Sequence, residues 1–216
     1  MVRERDRPIA GQPPLIAHVI HHLVIGGLEN GLVNLINRMP RSRYRHAIVC
    51  MTDYSDFSRR LQRDDVSIFA MDKKLGWDFG VYRRLYRLFR RIRPDIVHSR
   101  NLTALDSLLP ALLSGVPVRI HGEHGRDQFD PEGKSQRYRW LRRLHRPLVT
   151  HYVALSKDLE RYLHGAIGVP RRRIAQIYNG VDTDRFQPAG AEQRASQRGT
   201  LKIADEEVVV LFVGSA

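Results

Sequence analysis

The chain has 216 residues, of which 42% are hydrophobic and 27% charged, enough to bury one full α/β core and a little more. Its lone cysteine, Cys50, excludes an intrachain disulfide and a cysteine metal site. No apolar run approaches the length of a bilayer span, and Met1 to Pro14 carry charge and proline without the apolar core of a secretory signal. The expectation is therefore a cytoplasmic globular protein.

The elements alternate regularly along the chain. Leu15 to His21 reads as a strand, Leu28 to Arg38 as a helix, His46 to Met51 as a strand and Phe57 to Arg63 as a short helix. Strand Val66 to Ala70, helix Gly80 to Ile92, strand Asp95 to His98, helix Thr103 to Leu113 and strand Val118 to His121 follow. After a loop rich in Gly and Asp come helix Ser135 to His145, strand Tyr152 to Leu155, helix Lys157 to Leu163 and a buried strand Arg173 to Tyr178. Short apolar strands separated by helices predict a doubly wound, Rossmann-like parallel sheet with helices on both faces. Asn179-Gly180 gives a tight exit from the last strand, and Asp182 to Asp184 offer capping residues to a short turn, so the strand hands over to a hinge. The polar stretch Gln187 to Glu207 reads as a linker, and Val208 to Val213 as one more apolar run.

The formal charge of +13 is dominated by arginine, which supplies 31 of the 36 basic residues, an imbalance that GC-rich coding produces without any selection for binding. The charge is nevertheless concentrated. In the helix Gly80 to Ile92, Val81, Leu85, Leu88, Phe89 and Ile92 recur at helical spacing and leave Arg83, Arg84, Arg87, Arg90 and Arg91 on the opposite face. A second basic segment, Arg137 to Arg146, includes Tyr138 and Trp140, residues that favour a membrane interface. A plain solvated face and an anionic lipid surface both remain open. Nucleic acid is not expected, because no recognition-helix, zinc-finger or RNP-type signature accompanies the charge.

In open parallel sheets ligands bind at the carboxyl ends of the strands, so those ends are the places to look. After the first strand, Gly26 and Gly27 let a backbone approach a ligand closely, and the following helix start offers free N–H groups to an anion. The same residues also suit a tight turn in which Glu29 favours the helix dipole. The dinucleotide fingerprint is not met, although Asp53 keeps a dehydrogenase or epimerase reading open. The fourth strand leads into His98-Ser99-Arg100-Asn101 and the fifth into His121-Gly122-Glu123-His124, so topology brings His98, Asn101, Glu123 and His124 to one cleft. Imidazole and amide groups there suit hydroxyls or a leaving phosphate. The spacing matches no zinc signature, and no metal is expected. Ser156, at the end of Val153-Ala154-Leu155, reads as an N-cap.

Four of these features together carry a resemblance: Gly26-Gly27-x-Glu29, the segment ending in His124, Val153-Ala154-Leu155-Ser156 before a helix, and Tyr178-Asn179-Gly180-Val181-Asp182-x-x-x-Phe186. The chain resembles the amino-terminal domain of retaining, family 4 glycosyltransferases of the GT-B fold over Leu15 to Pro188. The segments Val116 to Asp127 and Ile177 to Phe186 look most like bacterial sugar transferases of exopolysaccharide and PEP-CTERM systems. The resemblance implies hexosyl transfer from a nucleotide-sugar to an acceptor hydroxyl with retention at the anomeric carbon, the nucleotide-sugar being a co-substrate and no cofactor being required. It implies a glycan or lipid-linked acceptor held by this domain, backbone contacts from Gly26 and Gly27 to the sugar or diphosphate, and a hydrogen bond from His124 to the transferred sugar. His98, Asn101 and Glu123 are placed on the substrate side.

In the family a carboxy-terminal domain binds the nucleotide, and Val208 to Gly214 resembles its first strand. Residues 15–188 are thus expected to form the acceptor-side domain, 189–207 a linker and 208–216 the start of the donor-binding domain. On that expectation the chain is a fragment or a truncated product, inactive alone. A non-catalytic module that binds a glycan or lipid acceptor is the competing expectation.

Overall fold

The structure is a computed structural model and describes residues 12–76, 78–125, 130–184 and 186–211. Seven strands form one sheet: β1 (Leu15–Ile20), β2 (Arg45–Cys50), β3 (Ser67–Ala70), β4 (Ile96–Arg100), β5 (Val118–Glu123), β6 (His151–Ala154) and β7 (Ile174–Gln176). All are parallel, in the order β3-β2-β1-β4-β5-β6-β7. The direction of winding reverses between β1 and β4, and a crevice opens beyond the strand ends at such a switch point. The expected doubly wound α/β sheet is present.

Alternation along the strands explains why the sheet needs cover on both sides. Ala17 and Val19 of β1, Val49 of β2 and Val97 of β4 pack with α2 (Phe79–Ile92) and α3 (Leu108–Leu113). Ile20, Ile48 and Cys50 pack on the other face with Leu32, Val33 and Ile36 of α1 (Gly27–Arg38). Tyr152 and Ala154 of β6 join Leu159, Tyr162 and Leu163 of α5 (Lys157–Gly165). Burial raises the Cys50 thiol to about 12, leaving it an inert apolar group.

Local chemistry sets the helix ends. The Asp78 carboxylate accepts from the Val81 N–H at the start of α2, and the Ser156 hydroxyl accepts from the Leu159 N–H at the start of α5, the N-cap its sequence predicts. α3 closes with Gly115 in the left-handed region (φ 82°). The Gly115 and Val116 N–H groups donate to the Leu112 and Ala111 carbonyls, a Schellman stop that delivers the chain to β5. α4 (Gln136–His145) crosses between β5 and β6.

Several boundaries differ from expectation. The segment Leu102–Ser107 is a 3-10 helix leading into α3, and Asp56–Arg60 is likewise 3-10 rather than α. The expected buried strand Arg173 to Tyr178 shrinks to the three residues of β7, with Ile177 and Tyr178 exposed, because an edge strand has one neighbour and little cover. β4 and β5 each run two residues further than their sequences suggest, since parallel pairing continues through polar side chains: Ser99 lies opposite His121 and Arg100 opposite Gly122.

The chain divides into two compact units, residues 1–179 and 180–216. In the second, the stretch expected as a linker contains α6 (Ala191–Leu201). The Arg198 guanidinium donates to the Ala204 and Glu207 carbonyls just beyond it. Residues 208–211 form no strand, and the rest of the expected donor-domain strand lies outside the described residues.

Candidate functional site

His18 on β1 and His98 on β4 lie opposite one another on the face that α1 covers, and Arg100 follows on that same face two residues later. Arg100 is 3% exposed, and its guanidinium hydrogen bond goes to Nδ1 of His18 at 3.2 Å. Nε2 of His18 meets Nδ1 of His46 on β2 at 3.0 Å, with the two rings stacked 5.2 Å apart. Arginine only donates, so the proton directions follow. His18 accepts at Nδ1 and donates from Nε2, and His46 accepts at Nδ1 and carries its own proton on Nε2. Both rings are therefore neutral. Burial first, then the Arg100 charge, holds His18 well below the ordinary histidine range. Burial first, then Arg63, holds His46 at about 4.

His124 folds back from the end of β5 toward His98, their ring centroids 6.5 Å apart. Gly122 makes this possible, since a Cβ built on it would lie 2.8 Å from Nε2 of His124 and 3.1 Å from Nε2 of His98. Among the described residues neither nitrogen has a hydrogen-bond partner, although both are buried. Burial, followed by the Arg100 charge, lowers His124 to about 3 and holds His98 well below its usual range. His124 is thus a neutral hydrogen-bonding group at pH 7 and not a cation.

Asn101 ties these parts together. Its backbone N–H donates to the Gly122 carbonyl at 2.9 Å, and its Oδ1 accepts the His124 N–H at 2.8 Å. It does so at φ 57° and ψ 177°, a region that costs a non-glycine residue on the order of 1–3 kcal/mol. The two bonds clamp the end of β4 to the turn that carries His124 and hold the strained conformation in place.

The four residues assigned to one cleft by topology do not all meet there. His98, Asn101 and His124 converge. Glu123, expected on the substrate side, lies apart from these three: it follows Gly122 directly in the strand, so its side chain turns to the opposite face. There it is 1% exposed and held by Arg142 of α4, with Oε1 accepting from Nε at 2.6 Å and Oε2 from Nη2 at 3.1 Å. Burial alone raises this carboxyl, but the nearby His121 ring, with Nε2 3.4 Å from Oε1, and the Arg142 hydrogen bonds prevail and bring it to about 2. His121 belongs to the same opposite-face network, its Nδ1 2.9 Å from the Ser99 hydroxyl.

Beyond the end of β1, Gly26 is the N-cap of α1 in an extended conformation open to any residue, and the Glu29 carboxylate folds over it. Gly27 begins the helix with open space around its Cα. Arg100 and Gly122 also belong to this cluster, although nothing in the sequence marks either for a role. The available signal was an arginine and a glycine at the ends of two apolar strands, but their pairing in the sheet is visible only in three dimensions. No group of three or more His, Cys, Asp or Glu side chains among the described residues is arranged to hold a metal ion.

A doubly wound sheet with polar groups converging at its switch point is an α/β domain of the kind that binds ligands at its strand ends. Residues 25–185 match the model of Glycosyltransferase Family 4, and the chain belongs to that family. It is 27% identical over 182 residues to the Escherichia coli UDP-Gal:alpha-D-GlcNAc-diphosphoundecaprenol alpha-1,3-galactosyltransferase, covering 81% of this chain and 46% of that protein. It is 24% identical over 209 residues to EpsF of Bacillus subtilis (strain 168), covering 90% of this chain and 52% of that protein. The fold matches a glycosyltransferase from Rickettsia africae ESF-5, with a TM-score of 0.69, 17% identity, and coverage of 90% of this chain and 51% of that one. It also matches Anabaena Alr3699/HepE in complex with UDP-glucose, with a TM-score of 0.63, 17% identity, and coverage of 88% and 50%. The chain therefore spans about half the length of the curated relatives it matches. Its sheet corresponds to the amino-terminal, Rossmann-like half of a GT-B architecture.

Proposed function

We propose that this chain is the acceptor-side domain of a retaining glycosyltransferase that moves a hexosyl group from a nucleotide-sugar to an acceptor hydroxyl in polysaccharide or glycoconjugate synthesis. The observation that carries the reading is the convergence of His98 and His124 over Gly122, with both Nε2 atoms unpartnered among the described residues, in a chain of family 4. Neutral imidazoles at a strand end hydrogen-bond hydroxyls without adding charge. We assign His124 to the transferred sugar and His98 to the acceptor side, with Asn101 positioning His124. Gly26, Gly27 and the N-terminus of α1 are suited to the donor phosphates. Departure of a nucleoside diphosphate needs electrostatic stabilisation, which fixed dipoles supply.

The names of the relatives support a lipid-linked, diphosphate-bearing acceptor and a uridine nucleotide donor. An acceptor of that class suits work at the inner face of the cytoplasmic membrane. The attachment we propose is peripheral, and among the described residues no helix is long and apolar enough to cross a membrane. The basic face of α2 suits an anionic surface through Arg83, Arg87 and Arg90, which have no ion pair among the described residues. Arg84 is instead engaged by Asp78 at 2.6 Å and by the Met71 carbonyl, and Arg91 lies over the Phe69 ring. The test is release of UDP from UDP-sugars by the protein expressed from its intact gene, supplied with a polyprenyl-diphosphate sugar. His124→Ala is expected to lower kcat at least tenfold, and unchanged turnover would remove the role given to His124.

A further inference from the structure

A buried guanidinium without a carboxylate is expensive. Taking the charge out of water costs several kcal/mol, which is normally recovered from an anion and a full set of hydrogen bonds. Arg142 in this same protein shows the usual solution, a two-pronged bond to Glu123. Arg100 has no such partner. Among the described residues no carboxylate makes an ion pair with it, and the side chain that holds it is His18, whose accepting nitrogen is neutral. His46 in turn fixes His18. The two histidines orient the guanidinium and leave its charge uncompensated. The position is equally specific: Arg100 is the last residue of β4, at the switch point of the sheet, on the same face as His98.

We infer that Arg100 is an anion-binding residue that takes a phosphate or diphosphate group of a substrate at the carboxyl edge of β1 and β4, with His18 and His46 as its positioning residues. The inference rests on reading this strand edge as the substrate site and adds the chemical class of what binds there. Arginine suits the task because its planar fork offers paired N–H groups to two oxygens of one phosphate, and the hydrogen bond to His18 leaves other N–H groups available. The anion has two sources in a sugar transfer, the diphosphate of the donor and a phosphate of the acceptor.

The test uses the 216-residue chain and inorganic pyrophosphate, read by the histidine ring signals in nitrogen-15 NMR, with thermal unfolding alongside. Saturable movement of the His18 signals is expected, with affinity at least tenfold weaker in Arg100→Met and partly retained in Arg100→Lys. Arg100→Met is further expected to hold or raise Tm, since it removes an uncompensated buried charge. Absence of binding by the unaltered chain, equal affinity in Arg100→Met, or failure of that variant to fold would overturn the proposal, the last because the charge would then serve the fold. Competition by uridine diphosphate assigns the anion to the donor, and competition by geranyl diphosphate assigns it to the acceptor. If the intact-gene protein transfers sugar with unchanged kcat and KM as Arg100→Met, the transferase reading stands and the role of Arg100 falls.

Discussion

Two buried arginines lie on opposite faces of the same sheet and are treated in opposite ways. Arg142 is closed into a pair with Glu123, with its guanidinium also over the Tyr162 ring. Arg100 is held by a neutral histidine, and burial lowers it to about 10. The first arrangement is complete within the protein and ties α4 to β5. The second is incomplete and sits where strand order reverses. A buried charge that the fold has neutralised belongs to the architecture, whereas one that the fold has oriented but not neutralised is available to a ligand.

The largest effect expected from breaking this contrast is on the paired side. Glu123→Ala leaves Arg142 buried without its anion and should lower the unfolding free energy by about 3 to 5 kcal/mol, measured by chemical denaturation. Glu123→Leu combined with Arg142→Met should recover most of that loss, because the pair's own desolvation disappears with it. If the double variant is no better than the single one, the pair contributes more than mutual compensation.

Acid should act on both sides in sequence. His46 at about 4 and His124 at about 3 are neutral in the fold, whereas the unfolded chain takes up protons near pH 6.5. The unfolded state therefore binds more protons in that window, and stability falls as pH drops below 6.5 toward 4. Glu123 adds a further loss between its unfolded value of 4.5 and its folded value of about 2. Tm measured from pH 8 to 3 should decline in two stages. A flat profile between 6.5 and 4.5 would show that the histidine string is not buried neutral.

Smaller effects sharpen the ligand side. Gly122→Ala forces the His124 ring away from His98. Sugar transfer by the intact-gene protein should fall about tenfold to a hundredfold, with stability changed by about 1 kcal/mol. Asn101→Gly relieves the backbone strain and removes the bond to the His124 N–H, two changes of similar size and opposite sign. Its Tm should move little while kcat drops, and a Tm loss of several degrees with full activity would make Asn101 a structural residue alone.

Most of the fold was legible in the sequence because parallel strands buried on both faces must be short and apolar, and their helices must carry a 3.6-residue stripe. Val81, Leu85, Leu88 and Phe89 declare α2 without any tertiary knowledge. The legible signal weakened where local cover disappears, at β7 and at the segment that forms α6, since neither buries a periodic face that a reader can find. Part of the candidate site was equally plain: Asn101 and His124 follow apolar strands in a region where such sheets bind ligands.

The sequence by itself determined the layered α/β class, the family, and the strand ends at which polar groups gather. Only the tertiary structure decided which of those groups share a face. Glu123 and His124 are adjacent in the chain, yet one is locked to Arg142 beneath the sheet while the other reaches His98 over Gly122. Arg100 looked like one arginine among 31, and its environment came from His18, 82 residues away. The physical reason is that burial and pairing are properties of register. A two-residue alternation is written in the sequence, but which strand lies beside which, and therefore which charge is left without a partner, is set when the sheet assembles.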